Sequence, residues 1–259
     1  MDLSLFYEQL TILSKRGLIA GPHESKEAFF QRAILAPPLV QGDDFAKLKK
    51  LYGIVPDWVK LIYSNTGLRF WEGGCMWEEG DTIVIQLRDY FRKRDKLYGF
   101  YPKREIIDHE MVHAVRGHLK SVFFEEMLAY QTSSSSLRRW LGPILQKPWE
   151  ALPYMATLLL IFIFFAWPLA QQVALILNLV LLGYGIVRLL ITRRIFETVK
   201  KKIGLMLGNK EEVMPFMLHL TDEEMQHCVL SEPAKLREYF EEMRFKNVHC
   251  AQIYARFFL

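Results

Sequence analysis

Cysteine is scarce in this 259-residue chain: Cys75, Cys228 and Cys250 are odd in number and far apart. None forms a C-x-x-C pair, which excludes a zinc ribbon or a dithiol redox motif and points to free thiols in a reducing compartment. The first residues do not read as a secretory signal, because Asp2 and Glu8 come early and no basic segment precedes an apolar core. No internal repeat is visible, and Ser133–Ser136 is only a short polar break. Charge of one sign is barely in excess, with 33 Lys+Arg against 29 Asp+Glu and a net charge of +4, so nothing in the balance argues for a nucleic-acid partner. With 51% hydrophobic and 24% charged residues, the composition excludes disorder, a collagen-like repeat and a simple coiled coil.

Charge is absent altogether over the 37 residues from Ala151 to Val187. A single straight helix of that length would run about 55 Å, well beyond a hydrocarbon core of about 30 Å. Two spans fit better, near Leu152–Trp167 and Val173–Leu190, with Pro168–Gln172 as the turn. Arg138, Arg139 and Lys147 precede this hairpin, Arg188, Arg193, Arg194 and Lys200–Lys202 follow it, and the turn carries no charge. The positive-inside rule then places both flanks, and so both termini and the soluble regions, on the cytoplasmic side. Trp149, Tyr154 and Trp167 read as interface anchors, and Lys200–Lys202 as a cluster that meets anionic lipid.

The soluble parts divide by texture. Leu3, Phe6, Leu10 and Leu13 predict a first helix ending by Gly17, and further helices are expected over Lys26–Leu35 and Asp44–Tyr52. Short antiparallel strands are expected over Leu68–Glu72, Cys75–Glu78 and Thr82–Arg88, separated by Gly73-Gly74 and Glu79-Gly80-Asp81. Helical signals return near Arg104 and fill residues 195–259, where Thr221…Glu224 reads as a capping box and Pro233 as a helix start. The expected organisation is an α+β domain over 1–136, a transmembrane hairpin over 137–194, and a small helical domain over 195–259.

Chemistry is concentrated in His109-Glu110-Met111-Val112-His113. On a helix, residues four apart share a face, so both imidazoles can reach one Zn²⁺ while Glu110 lies beside it as general base. A zinc held this way activates water for attack on a carbonyl. A catalytic zinc takes a third protein ligand, and the next helical stretch offers Glu125 and Glu126. His118 would be the third ligand of a metzincin, but that pattern wants Gly and His where Arg116 and Leu119 stand. The bland reading is a pair of core histidines satisfied by hydrogen bonds.

HEMVH followed by Glu126-Met127-Leu128-Ala129 resembles the gluzincin class of zinc metallopeptidases, in which an ExxA-type motif on the following helix completes the site. The resemblance implies a zincin-like fold, one Zn²⁺ held by His109, His113 and Glu126, Glu110 as catalytic base, and peptide or protein substrates. It also implies that Ala129 lets the two helices approach, and it puts Tyr130 where several relatives carry an acidic residue. Thr82–Arg88 fits either the edge strand on which such enzymes receive substrate or a plain core strand. Tyr90, Tyr98, Tyr101 and Tyr130 are the candidates for stabilising the oxyanion. The alternative is a non-catalytic membrane protein that uses the same ligands as a structural zinc site.

Overall fold

The computed structural model describes residues 3–39, 45–79 and 82–259. The expected helix start at Asp44 and the Gly80-Asp81 turn lie outside these residues. The chain is a mostly helical α+β protein. It begins with α1 (Leu3–Lys15), α2 (Lys26–Leu35) and α3 (Ala46–Tyr52), close to the three helices anticipated. α1 stops at Lys15, and Gly17 just beyond it has a φ of +72°, in the left-handed region that glycine tolerates.

Three strands follow: β1 (Lys60–Tyr63), β2 (Gly74–Glu79) and β3 (Thr82–Leu87), in the order β1-β3-β2. β1 runs parallel to β3, with Lys60 opposite Val84. β2 runs antiparallel, with Gly74 opposite Leu87 and Glu79 opposite Thr82. One expectation is corrected here, and one alternative is decided. Leu68–Glu72 is not a strand, because Glu72 folds back to close a turn on Arg69. Thr82–Leu87 is the central strand, paired on both sides, so it cannot receive a substrate. Its residues Ile83–Leu87 are all buried, the near-continuous apolar pattern of a strand covered on both faces. The edge positions belong to β1 and β2, and β2 is the one beside α4.

After a two-residue ladder of β4 (Lys96–Leu97) with β5 (Tyr101–Pro102) comes α4 (Lys103–Arg116), which carries the two histidines. Beyond a tight 3-10 turn at Gly117–Leu119 lie α5 (Glu125–Ala129) and α6 (Ser136–Leu141), then α7 (Ala151–Ile163) and α8 (Pro168–Leu207). Four helices close the chain: α9 (Val213–His219), α10 (Asp222–Leu230), α11 (Pro233–Met243) and α12 (Val248–Phe257). The capping box at Thr221 and Glu224 is present, and Pro233 opens α11.

α7 and the first half of α8 pack antiparallel. Tyr154 donates to the Leu181 carbonyl (2.9 Å) and Asn178 to Thr157 Oγ1 (2.8 Å). The reversal is a 3-10 turn at Phe164–Ala166, and Pro168 sits at the first position of α8. This displaces the turn from the expected Pro168–Gln172, because proline's missing N–H costs nothing at a helix start. Tyr154 is spent inside the hairpin, so it is not an interface anchor, whereas Trp149 and Trp167 are exposed. α8 is long and apolar enough to cross a membrane by length and composition, and only 17% of its most apolar window is buried.

α8 does not stop at residue 194. It runs on to Leu207, 40 residues in all and about 60 Å at 1.5 Å per residue. Its lower half drives Leu189, Thr192, Phe196, Val199 and Ile203 into the interior as one stripe. A single hydrophobic core then joins Leu18, Ile85 and Met111 to Phe196, Phe216 and Ile253. The expected divisions at 136 and 194 therefore do not separate cores, and the C-terminal helices complete the same body as the N-terminal ones. Gln252 seals this union by accepting from the Ala20 N–H and donating to the Leu18 carbonyl.

Candidate metal centre

α4 is enclosed on most of its circumference, and even its Glu105, Asp108 and Arg116 are buried. Ile106, Ile107, Met111, Val112, Ala114 and Val115 are buried. A helix so enclosed leaves one narrow face open, and His109, Glu110 and His113 occupy it.

His109 Nε2 and His113 Nε2 lie 3.2 Å apart. The Glu126 carboxylate straddles them, with one oxygen 3.5 Å from His109 and the other 3.4 Å from His113. Among the described residues, these three form the one His/Cys/Asp/Glu group whose donors converge closely enough for a metal ion. A tetrahedral ion with bonds of about 2.0–2.1 Å needs donors about 3.3–3.4 Å apart, so the observed spacing is that of a ready site. The donor set, two imidazoles and a carboxylate, is one that catalytic zinc sites use.

Glu125 and Glu126 have separate places. Glu125 accepts from His113 Nδ1 at 2.9 Å. A carboxylate only accepts, so Nδ1 carries a proton, and in the neutral ring the Nε2 lone pair then faces His109. Such pairing of a ligand imidazole with an outer carboxylate fixes its tautomer and raises its basicity. The electrostatics follow. Burial alone would depress His113, but Glu125 and Glu126 overcome it and push its pKa well above the usual value. Burial pulls His109 down to about 4 despite the Glu126 charge. Between the two rings there is thus room for one positive charge, which a proton or a metal ion can supply.

Burial raises Glu110 to about 7, with the nearby Glu126 charge adding to it and His113 and a hydrogen bond from the Met76 backbone opposing it. That bond ties the carboxylate to β2. Gly74, Cys75 and Met76 of β2 form one wall of a cavity of about 400 Å³ that contains His109, Glu110, His113 and Glu126. A second cavity of about 230 Å³ continues it past Trp71, Tyr101 and Tyr130. A larger space of about 520 Å³ opens between Phe6 and Lys246 and shares no residue with either.

Of the four tyrosines considered, Tyr101 and Tyr130 line this space. Tyr98 instead donates to the Phe70 carbonyl, and Tyr90 pairs with Arg94 on the surface. Tyr130 packs edge-on against the His109 ring (4.7 Å between centroids) and is hydrogen-bonded to Tyr101. Its ring lies flush on Gly142, where an added Cβ would meet ring atoms at 2.2–2.6 Å. His118 stands in the turn after α4 and does not join the donor group.

Two carboxylates missing from the sequence-based site hold its frame. Asp222, at the start of α10, accepts from Ser121 Oγ (2.5 Å) and from the backbone N–H groups of Val122 (2.7 Å), Phe123 (2.8 Å) and Phe124 (3.2 Å). These groups end the loop that leads into α5, so the C-terminal part of the chain sets the position of Glu125 and Glu126. Glu105, in the first turn of α4, accepts from Ser133, Ser134 and Arg138, which hold it down at about 2 against the burial that opposes them. An acidic residue in a first turn ordinarily signals its own helix, so neither could be read as a tie to a distant loop.

Comparisons of the chain with family models, curated proteins and solved structures find no match.

Proposed function

We propose that the chain is a membrane-anchored zinc metallopeptidase of the gluzincin kind, with His109, His113 and Glu126 as ligands and Glu110 as general base. The observation that supports it most is the donor triangle itself, spaced for a tetrahedral ion and open to a cavity that Glu110 also faces. When bound there, Zn²⁺ would supply Lewis acidity toward a substrate carbonyl and lower the pKa of water to about 7.

The chain's own residues do the rest. Glu110, raised to about 7, has the basicity that suits proton transfer at neutral pH. It takes the proton of the attacking water and returns it to the leaving amine. Tyr101, which accepts from the Tyr130 hydroxyl beside His109, keeps its own O–H to donate to the carbonyl oxygen as negative charge develops. Glu125 holds the His113 ring in register.

The apolar hairpin of α7 and α8 would supply both spans of the anchor. The flanking Arg and Lys residues then put the site and both termini on the cytoplasmic side.

The test is metal content measured together with cleavage of a peptide library by the purified full-length protein. Wild type should carry one zinc per chain and cleave in a chelator-sensitive way. Glu110→Gln should keep the zinc and lose at least about 100-fold in rate, the lower range for an acid–base group. Undiminished cleavage by Glu110→Gln, or a wild-type protein without bound zinc, would refute the assignment.

A further inference from the structure

The cleft beside the donor triangle has an unusual opposite wall. Facing β2 across it are Leu145, Lys147 and Ala151. Ala151 is also the first residue of α7, and therefore the first of the uncharged run. Lipid-type surface begins within one turn of it: Leu152, Met155, Leu158 and Leu159 are all exposed, the farthest about 12 Å along the axis at 1.5 Å per residue. The cavity wall and the start of the apolar surface are the same piece of chain.

This foot is not free to swing away. Arg188 of α8 binds both oxygens of Glu150 (2.8 and 2.6 Å) and the Ile144 carbonyl (2.7 Å). Arg193, one turn further along α8, donates to the carbonyls of Arg139 and Trp140. Tyr154 and Ile144 close on Gly185, where a Cβ would come within 2.7 Å and 3.2 Å of them. Trp140 and Trp149 are exposed around the foot, together with the cation of Lys147, a belt suited to headgroup depth. The cleft is thus held at one height relative to the apolar helices, at the level where the bilayer ends.

We infer that the substrate of this site is a membrane-tethered polypeptide, cut in the juxtamembrane segment within about ten residues of its own span, a reach of about 33 Å of extended chain. The inference rests on the peptidase reading above and on the bilayer placement of α7 and α8. A chain leaving the bilayer beside the hairpin enters the cleft past Lys147 and Ala151 and runs toward β2. A soluble peptide has no such delivery and must find the cleft by diffusion alone.

The experiment uses the full-length protein with zinc in phosphatidylcholine/phosphatidylglycerol vesicles. It is given three reporters carrying one cleavable sequence selected from a peptide library: five residues from a transmembrane span, forty residues from the span, and as a free peptide. At equal total reporter concentration, the near reporter should be cut at least tenfold faster than the far one. Equal rates for near and far overturn the inference while leaving the peptidase reading intact, and no cleavage of any sequence, free peptides included, removes that reading itself. A second readout needs no activity. A nitroxide at Lys147→Cys, in a Cys75→Ser background, should be reached by lipid-soluble oxygen and by an aqueous nickel chelate to similar extents, as at the headgroup level. Exposure to the chelate alone would place the cleft away from the bilayer and overturn the inference whatever the reporters do.

Discussion

Replacing Asp222 by alanine tests whether the C-terminal helices hold the third ligand in place. The carboxylate accepts one hydroxyl and three backbone N–H groups between 2.5 and 3.2 Å. Hydrogen bonds to a charged acceptor are worth about 1.5–3 kcal/mol each, but they are not additive, and Val122 is exposed enough for water to serve its N–H in the variant. A net loss of about 3 kcal/mol is expected. The bonds hold the Asp222 pKa below the ordinary carboxylate range against the burial that would raise it. Its contribution is therefore present above the unfolded-state pKa and lost as pH falls through the folded one. Denaturant unfolding at pH 7 and at pH 3 should show a large gap between wild type and Asp222→Ala at neutral pH and a smaller one in acid. Zinc affinity, measured by competition with a chromophoric chelator, should fall by about 10–100-fold, the range for losing outer support of a metal site. Asp222→Asn keeps an acceptor oxygen and should fall between. If Asp222→Ala unfolds like wild type and keeps its zinc affinity, the clamp does not position Glu126.

Three further outcomes follow from named contacts. Glu125→Gln weakens the partner of His113 Nδ1 and should lower zinc affinity about 10-fold with little change in unfolding midpoint, read by the same competition. Glu105→Gln should destabilise by about 2–3 kcal/mol at pH 7; because the native carboxyl sits at about 2, wild type should lose this advantage as pH drops from about 4.5 toward 2, and a variant with an unchanged acid slope would contradict it. Gly142→Ala drives a methyl into the Tyr130 ring and should cost about 1–3 kcal/mol by overpacking, with the near-ultraviolet tyrosine signal changed.

Much of the centre was legible because it is local. His109, Glu110 and His113 take their relation from one helical turn, and α4 forms where its apolar residues recur. The choice between Glu125 and Glu126 was not legible, because neighbouring residues on α5 differ by about 100° of helix phase and only the packing of α5 on α4 sets which one turns inward. The sheet was half legible. Thr82–Leu87 announced a strand, but edge and core positions were both open, and pairing on both sides decides for the core. β1 escaped because its partner β3 lies 20 residues or more along the chain and pairs in parallel. That one core crosses the expected boundaries was not legible for a similar reason: nothing near residues 188–203 tells what their buried stripe meets. Asp222 and the loop at Ser121 are about a hundred positions apart, and no local pattern joins them.

That long closure has a bearing on how the molecule comes into being. Ribosomes deliver His109 and His113 early, then the apolar hairpin, and the anchor for the α5 loop only after a further stretch. Until Asp222 and the helices behind it have emerged and docked, Glu126 has no fixed address, and a nascent or C-terminally truncated chain holds its donors loosely. The same tail that fills the core also ties down the loop that carries Glu125 and Glu126.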